Sequence, residues 1–419
     1  MKKIKFFAIL FAAIALMSVA ANAAAPAITA ETAVLMDAKT GQVIYDKDMH
    51  RQMYPASITK ILTTILAVEN LALDDKIIVS QEAVDAVSRN ASHIALTKDE
   101  EITVREAVYA ALLASANDAC NVIAEKVSGS MDAFAKLMTE KAAECGALGT
   151  NFTNSNGLKD ENHYTTAYDM AMMTRYGLQN ETWRDMFGER RYEMPVTNKQ
   201  DEIRYLNNQH IMIFEKAYYY DGIIGGKTGY TTVAKHTLVT AAERDGVELI
   251  AVVMKCPQNM DKYEDTKALL DYGFENFKPV TVTDESLTKS TIETDDGQIE
   301  VSLEAPINVL IPKDASEEAI VITTEIKDDT PYASLTLPQN AGDTPQELGE
   351  YPLKIVATQA VAEETPHEES GIGIFRIILI VILSVVALLA LFVLIIYVRK
   401  EIYLWKRRRA RKAYRRRQK

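Results

Sequence analysis

The pattern of hydrophobic and polar positions divides the chain into three zones. From residue 24 to residue 277, alternating and helix-like apolar periods succeed one another, which indicates a mixed α and β domain. Asp-Gly at 245–246 separates two apolar runs and is a strong signal for a tight hairpin turn. The elements predicted in this zone are a hairpin at 32–46, an apolar helix at 57–71, two helices at 103–127 broken near 115–117, and a hairpin made of 237–242 and 247–254.

The pattern changes at about residue 278. Short β-branched runs alternate there with Asp, Gly and Pro as far as residue 357, which predicts a small β-rich domain. Residues 358–374 are acidic and contain Pro, Ser and Gly, so they are interpreted as a linker. The expected fold class is therefore α+β, with a mixed domain at 24–277 and a β-rich domain at 278–357.

Both ends of the chain carry an apolar segment, a short one at the start and a longer one near the end. The first follows a lysine-rich start and ends in Ala21-Asn22-Ala23, which predicts a secretory signal peptide over 1–23, with an uncleaved anchor as the alternative. The second is uncharged from 377 to 398 and would form a helix of about 33 Å, enough to cross a bilayer. We predict a transmembrane helix at 375–398; a buried core helix is the alternative.

The charge distribution supports this topology. Residues 399–419 carry twelve positive charges and one negative charge, which predicts a cytoplasmic tail in contact with anionic lipid. The formal charge of −12 for the whole chain means that the remainder is acidic, which argues against a nucleic-acid partner. The expected location is the cell membrane, with residues 24–357 outside the cytoplasm. Three cysteines form no disulfide framework; one bridge and three free thiols both remain open.

Three short motifs carry the candidate chemistry. They are Ser-x-x-Lys, Ser-x-Asn and Lys-Thr-Gly, and each occurs twice, so context must choose between the copies. The chosen set comprises Ser57 with Lys60, Ser115 with Asn117, and Lys227 with Thr228 and Gly229. The rejected set comprises Ser286 with Lys289, Ser88 with Asn90, and Lys39 with Thr40 and Gly41.

Context favours Ser57 because it opens a predicted helix in which residues three apart share a face. That helix is almost entirely apolar, so Lys60 is expected to be desolvated and, near the second cation Lys227, to have a lowered pKa and act as a base. Ser286 lies in a polar, strand-like stretch where residues three apart face opposite sides, so it is interpreted as surface. The other two rejected motifs are interpreted as a hairpin turn and a helix end.

The stretches around the chosen motifs resemble one family closely. Residues 54–64, 114–119 and 226–231 are similar to the serine-type D-alanyl-D-alanine carboxypeptidases, the low-molecular-mass penicillin-binding proteins, as are 154–158 and 163–171. The resemblance implies an antiparallel sheet with flanking helices and a helical subdomain. It also implies hydrolysis of the D-Ala-D-Ala end of peptidoglycan stem peptides through a serine acyl-enzyme, with no metal or other cofactor and with β-lactams as acylating inhibitors.

The resemblance also implies the residue roles. Ser57 would be the nucleophile, Lys60 its base and Ser115 the proton relay to the leaving amine. Asn117 would hold the substrate amide. Lys227 and Thr228, next to Gly229, would bind the terminal carboxylate, and the backbone N–H groups of Ser57 and Tyr230 would form the oxyanion hole.

Several alternatives stay open. A serine β-lactamase shares the motifs, but no Glu-x-x-x-Asn that could hold a hydrolytic water lies between the second and third of them. A non-catalytic β-lactam sensor would need a signalling module. A zinc carboxypeptidase is a third alternative, but the six histidines include no close pair that could bind zinc. His163 is interpreted as either structural or functional, Asn156-Gly157 as a turn, Asp118 as a helix cap and Cys120 as packing.

Overall fold

The computed structural model describes residues 25–214, 216–287, 291–294, 297–327, 329–338, 345–360, 382–383 and 398–400. Two compact units are distinguished: one holds residues up to 294 together with 299–358, and the other holds 295–298 with 359–419. The first unit contains the features discussed below, apart from strand residues 297–298 and 359–360. Of the second unit, residues 382–383 and 398–400 are helical.

The described elements are named in chain order. The helices are α1 (Lys60–Asn70), α2 (Gln81–Asp85), α3 (Val104–Leu113), α4 (Asn117–Ser128), α5 (Met131–Glu144), α6 (Ala167–Leu178), α7 (Glu181–Gly188) and α8 (Asp261–Asn276). The strands are β1 (Thr32–Asp37), β2 (Val43–Lys47), β3 (Lys76–Ile78), β4 (Glu101–Thr103), β5 (Arg191–Met194), β6 (Arg204–Asn207), β7 (Ile223–Thr231), β8 (Lys235–Arg244), β9 (Val247–Cys256), β10 (Phe277–Val282), β11 (Thr291–Thr294), β12 (Gly297–Leu303), β13 (Ile307–Pro312), β14 (Val321–Lys327), β15 (Thr330–Leu337) and β16 (Gln346–Ala360).

A five-stranded antiparallel sheet forms the centre of the first unit, in the order β2-β1-β9-β8-β7. Its three central strands, β1, β9 and β8, are largely buried on both faces. One face packs against α1 and the helices around it, and the other packs against α8. Successive side chains of a strand point to opposite faces, so Val34 of β1 contributes to the first core and Leu35 to the second.

Helix α1 lies in the middle of the helical layer, and its residues 60–67 are all buried. A helix that is apolar on every side must be surrounded by protein. Its threonines are satisfied locally: Thr63 Oγ1 donates to Ser155 O, and Thr64 Oγ1 accepts from the indole of Trp183 at 3.0 Å. A 3₁₀ turn, Ala56–Thr59, leads into this helix and carries Ser57.

Strands β10 to β16 form the β-rich part. A five-stranded sheet in the order β11-β12-β16-β15-β14 and the pair β10-β13 share a separate apolar core. The side-chain amide of Gln42, which is 4% exposed, exchanges two hydrogen bonds of 2.7 Å with the backbone of Leu310 in β13. The β-rich strands are therefore anchored to the β1–β2 hairpin within one unit.

The predicted hairpins and helices are confirmed, including the break between α3 and α4 at 114–116. One local prediction is wrong: Ser286 lies in a 3₁₀ turn, Asp284–Ser286, because Thr283 and Ser286 cap it reciprocally. Its side chain is exposed, and Lys289 lies outside the described residues. Strand β16 continues to Ala360, three residues beyond the predicted end of the β-rich domain. The domain boundaries otherwise stay predictions.

The predicted membrane segments fall almost entirely outside the described residues. This holds for the signal peptide at 1–23, for nearly all of the span at 375–398 and for most of the tail at 399–419. Within the part of the chain that is described, no helix is both long enough and apolar enough to cross a bilayer.

Candidate functional site

The first motif is held at the junction of a 3₁₀ turn and α1. Side chains three apart nearly eclipse one another in a 3₁₀ turn, and Lys60 Nζ lies 3.1 Å from Ser57 Oγ. Ala56, directly before Ser57, has φ +52, a left-handed conformation that is uncommon for a residue with a side chain. Such strain persists only where surrounding structure imposes it, and it clusters at functional sites.

Lys60 is fully buried, so its amine needs partners inside the protein. It donates to Asn117 Oδ1 at 2.8 Å and to the backbone carbonyl of Asn156 at 2.6 Å. Burial is the main cause that lowers the pKa of Lys60 to about 8. A lysine in this environment loses its proton far more readily than one in water.

The second motif lies in the connection between α3 and α4. Ser115 has φ +58 and is 3% exposed, and Asn117 begins α4 with its backbone N–H bound to Ser92 O at 2.9 Å. Asp118 accepts hydrogen bonds from the backbone N–H groups of Ile94 and Leu96. Its carboxylate therefore fixes the loop that contains Ser92. The prediction of a helix cap is wrong, because the N-cap position is held by Ala116.

The third motif lies on β7, at the edge of the central sheet. A Cβ placed on Gly229 would lie 2.4 Å from Thr237 Oγ1 and 3.0 Å from the backbone nitrogen of Ser57, so glycine lets the strand come this close. Thr237, opposite Gly229 on β8, donates to Pro55 O at 3.0 Å. These contacts hold the Ser57 turn directly against the Lys-Thr-Gly segment.

A cleft of about 470 Å³ opens between these elements. Five of the eight predicted site residues line it, and the other three lie buried behind its wall. The lining residues are Ser57, Ser115, Thr228, Gly229 and Tyr230, and the buried ones are Lys60, Asn117 and Lys227. The structure thus brings together residues that lie up to 173 positions apart in the chain.

Lys227 is a second buried lysine with a lowered pKa. Its Nζ donates to Thr228 O at 3.1 Å, and burial together with the charge of Lys60 lowers its pKa to about 7. The sequence predicted that burial and the nearby Lys227 would together lower the pKa of Lys60, and burial is confirmed as the main cause. Burial is also the main cause at Lys227, where the charge of Lys60 adds to it.

Sequence reasoning missed two contributors to the site. Lys262 on α8 lines the cleft, is 4% exposed, and has its pKa lowered by burial to about 8. The interpretation of Asn156-Gly157 as only a turn also needs correction. The Asn156 carbonyl binds Lys60, and a Cβ on Gly157 would lie 1.9 Å from Ala56 O.

The remaining polar residues have structural roles. His163 Nδ1 accepts from the backbone N–H of Thr153, so its Nε2 carries the proton and donates to Thr59 Oγ1 at 2.9 Å. Burial lowers the pKa of His163 to about 4, which keeps the ring neutral. Cys120 is buried and donates to Ala116 O. Within the described ranges, no group of three His, Cys, Asp or Glu side chains could hold a metal ion.

The fold is that of the penicillin-binding proteins. Penicillin-binding protein 5 of Haemophilus influenzae matches with a TM-score of 0.65 at 24% identity, over 80% of this chain and 98% of that one, which establishes the fold. A D-alanyl-D-alanine carboxypeptidase of Mycobacterium tuberculosis matches at 28% identity with a TM-score of 0.56, over 61% of this chain and 95% of that one.

The chain belongs to the D-alanyl-D-alanine carboxypeptidase family. The family's sequence model matches residues 19–258. The D-alanyl-D-alanine carboxypeptidase DacF of Bacillus subtilis is 32% identical over 354 residues, which is 82% of this chain and 87% of that protein. The resemblance seen in the motifs is confirmed, and these relatives do not favour the β-lactamase and sensor alternatives.

Proposed function

We propose that this protein is a serine-type carboxypeptidase that removes the terminal D-alanine from peptidoglycan stem peptides and is acylated by penicillins. The observation that carries the proposal is the fully buried amine of Lys60, 3.1 Å from the hydroxyl of Ser57 at the floor of the cleft. The family of the chain and the names of its relatives support the same substrate.

The partners of Lys60 suit the role of a base. A neutral lysine amine has two N–H groups and one lone pair. Asn117 Oδ1 and the Asn156 carbonyl can only accept, so they take both N–H groups. The lone pair is then left for the third neighbour, the Ser57 hydroxyl, which is the arrangement that proton abstraction needs.

The reaction would run in two steps. Ser57 Oγ attacks the carbonyl carbon between the last two D-alanines while its proton passes to Lys60, and the C–N bond breaks as the leaving amine gains a proton through Ser115. Water then attacks the acyl-enzyme, which releases the shortened peptide and restores the Ser57 hydroxyl. The backbone N–H groups of Ser57 and Tyr230 would stabilise the oxyanion, an effect that is worth about 3 kcal/mol per donor in comparable sites.

Thr228 and two lysines of the cleft could bind the substrate carboxylate. Thr228 and Lys262 line the cleft, and Lys227 lies directly behind Thr228. A bound carboxylate would favour the charged form of both lysines, since an opposite charge stabilises an ammonium group. A charged Lys227 would in turn disfavour a second charge at Lys60, so that binding of the correct terminus would help to keep the base neutral.

Labelling with a fluorescent penicillin tests the nucleophile. Label should be lost in Ser57→Ala and kept in the matched variant Ser286→Ala, and the wild type should release D-alanine from a stem pentapeptide. Label on Ser286 would contradict the assignment. Penicillin hydrolysis much faster than D-alanine release would indicate a β-lactamase, and stable acylation without any D-alanine release would indicate a sensor.

The same proposal includes export and a C-terminal membrane anchor. Tyr45 donates to Pro26 O at 3.3 Å, and Asp265 accepts hydrogen bonds from the backbone of Thr29 and Ala30, so contacts with the fold begin a few positions after the expected cleavage at Ala23. The uncharged segment 377–398 and its basic tail support an anchor with the tail in the cytoplasm. Protease added to intact spheroplasts should remove the ectodomain and leave a tag after Lys419 protected; a digested tag would contradict this topology.

A further inference from the structure

A second pocket lies beyond the end of β7. Its volume is about 310 Å³. Tyr54, three residues before Ser57, lines it, and so do Val233 and Ala234 in the turn that follows β7. The pocket is held by a pair of backbone hydrogen bonds between Met53 and Thr165, of 2.7 and 2.9 Å. It is therefore largely formed before any ligand binds.

The direction of the bound peptide brings this pocket into the path of the substrate. Under the proposed function, the terminal carboxylate lies near Thr228 and the scissile carbonyl near Tyr230. The rest of the stem peptide must then run antiparallel to β7, past Thr231 and toward the turn at 232–234. β7 is the last strand of its sheet, and an extended peptide can bind along such an edge. At about 3.4 Å per residue, the residue before the cleaved D-Ala-D-Ala pair reaches the turn.

The charges in the pocket are of both signs. Arg51 and Lys255 share the single carboxylate of Glu31, at 3.4 and 2.9 Å, so this group of three has a net positive charge. Arg51 is the more exposed of the two cations and has the longer contact. Glu161 also lines the pocket, and no other described residue forms a hydrogen bond or ion pair with its side chain.

The backbone conformation at Lys255 indicates that the fold fixes the direction of this side chain. The register of β8 and β9 shifts between His236 and Leu238, which leaves an extra residue in β9, and Lys255 has φ +58. Such bulges turn a side chain in a new direction and are frequent next to active sites. The left-handed conformation is strained for lysine, so the surrounding structure must maintain it.

We infer that this pocket binds the side chain of the third stem-peptide residue, and that it fits a side chain ending in both an amino and a carboxyl group, as in diaminopimelate. Glu161 would take the ammonium group, and Arg51 with Lys255 the carboxylate. The inference rests on the proposed function, because the position of the scissile bond sets the direction of the peptide.

Three pentapeptides test the assignment. They are L-Ala-γ-D-Glu-X-D-Ala-D-Ala, with X as meso-diaminopimelate, L-lysine or L-norleucine. The wild type should prefer the first over the third by about tenfold in kcat/KM, mainly through KM, as expected for two partly exposed charge pairs. Glu161→Gln and Arg51→Gln should each reduce that preference about threefold. The matched controls Glu140→Gln and Lys136→Gln remove exposed charges on α5 and should leave it unchanged.

The outcomes separate this inference from the proposed function. Equal kcat/KM for the three peptides would overturn the inference while leaving D-alanine release intact. A preference for the lysine peptide that depends on Glu161 alone would overturn the assignment of a zwitterionic ligand. Binding of the same peptides to Ser57→Ala, measured by calorimetry, provides a test that needs no turnover. The same order of Kd values supports the pocket, and equal values overturn it even if no D-alanine is released.

Discussion

Gly157 offers the sharpest test of how the nucleophile is positioned. Its φ is +86, and a Cβ at this position would lie 1.9 Å from Ala56 O and 2.9 Å from Thr59 Oγ1. The neighbouring carbonyl, that of Asn156, is a partner of Lys60. A methyl group here must therefore push apart the Ser57 turn and the segment that binds the base.

The size of the effect follows from these distances. A carbon and a carbonyl oxygen not bonded to each other need more than about 3 Å, so Gly157→Ala must displace one backbone segment by about 1 Å. A misplacement of that size can lower a rate about 100-fold, which corresponds to about 2.7 kcal/mol in the activation free energy. The left-handed conformation costs alanine a further 1–2 kcal/mol or so in the free energy of unfolding.

Gly129→Ala is the matched control, because Gly129 has φ +77 and no atom within 4 Å of the added Cβ. Both variants should lose stability in thermal denaturation, but only Gly157→Ala should be acylated slowly by fluorescent penicillin. Acylation of folded Gly157→Ala within about threefold of the Gly129→Ala rate would refute the reasoning.

Three further predictions follow from the buried titratable groups. The active form needs neutral Lys60 and charged Lys227, and the pKa values of these lysines are lowered to about 8 and about 7. The acylation rate should therefore follow a bell-shaped pH profile and fall about tenfold per pH unit on its acid side. A flat profile from pH 5 to 7 would exclude Lys60 as the base. Lys262→Met should raise KM for a carboxylate-bearing peptide about tenfold and leave KM for an amidated peptide unchanged. Lys267→Met, at an exposed position, is the control. An equal rise in KM for both peptides would show that Lys262 does not bind the carboxylate. The pKa of His163 is lowered from 6.5 to about 4. Its contribution to the free energy of unfolding is therefore complete above pH 6.5 and falls by about 3 kcal/mol as the pH drops to 4. His163→Gln should be less stable than the wild type at pH 7 but lose less stability on acidification. Urea titrations that show the same pH dependence of the unfolding free energy in both proteins would contradict this.

The elements and motifs that are local in sequence could be predicted. The hairpins were recognisable from alternation and from Asp245-Gly246, and the 3₁₀ turn and α1 from an apolar run that begins at Ser57. The local context of each motif was the basis for choosing between the duplicates, and the chosen copies meet around one cleft. Ser286 was correctly interpreted as surface but for the wrong local structure, since the capping by Thr283 favours a turn over a strand.

The parts that escaped prediction depend on long-range packing. Lys262 stands 35 positions after Lys227 in a helix of mixed polarity, and only the contact of α8 with the sheet brings it to the cleft. Nothing about a single lysine on such a helix distinguishes it from a solvated surface residue. The same holds for Arg51, Lys255 and Glu161, which are separated in sequence and meet only around the second pocket.

Asn156 shows a limit of another kind. It acts through its backbone carbonyl, a group that every residue has, so its own identity carries no signal of the contact with Lys60. The available signal was indirect: a fully buried lysine amine must have acceptors, and the apolar helix around Lys60 contains none to spare. Only one such acceptor, Asn117, is named by a motif. The second had to come from a backbone that approaches closely, and the residue that permits this approach is the glycine beside it. In this chain the sequence therefore marks the backbone contact with Lys60 only indirectly, through Gly157.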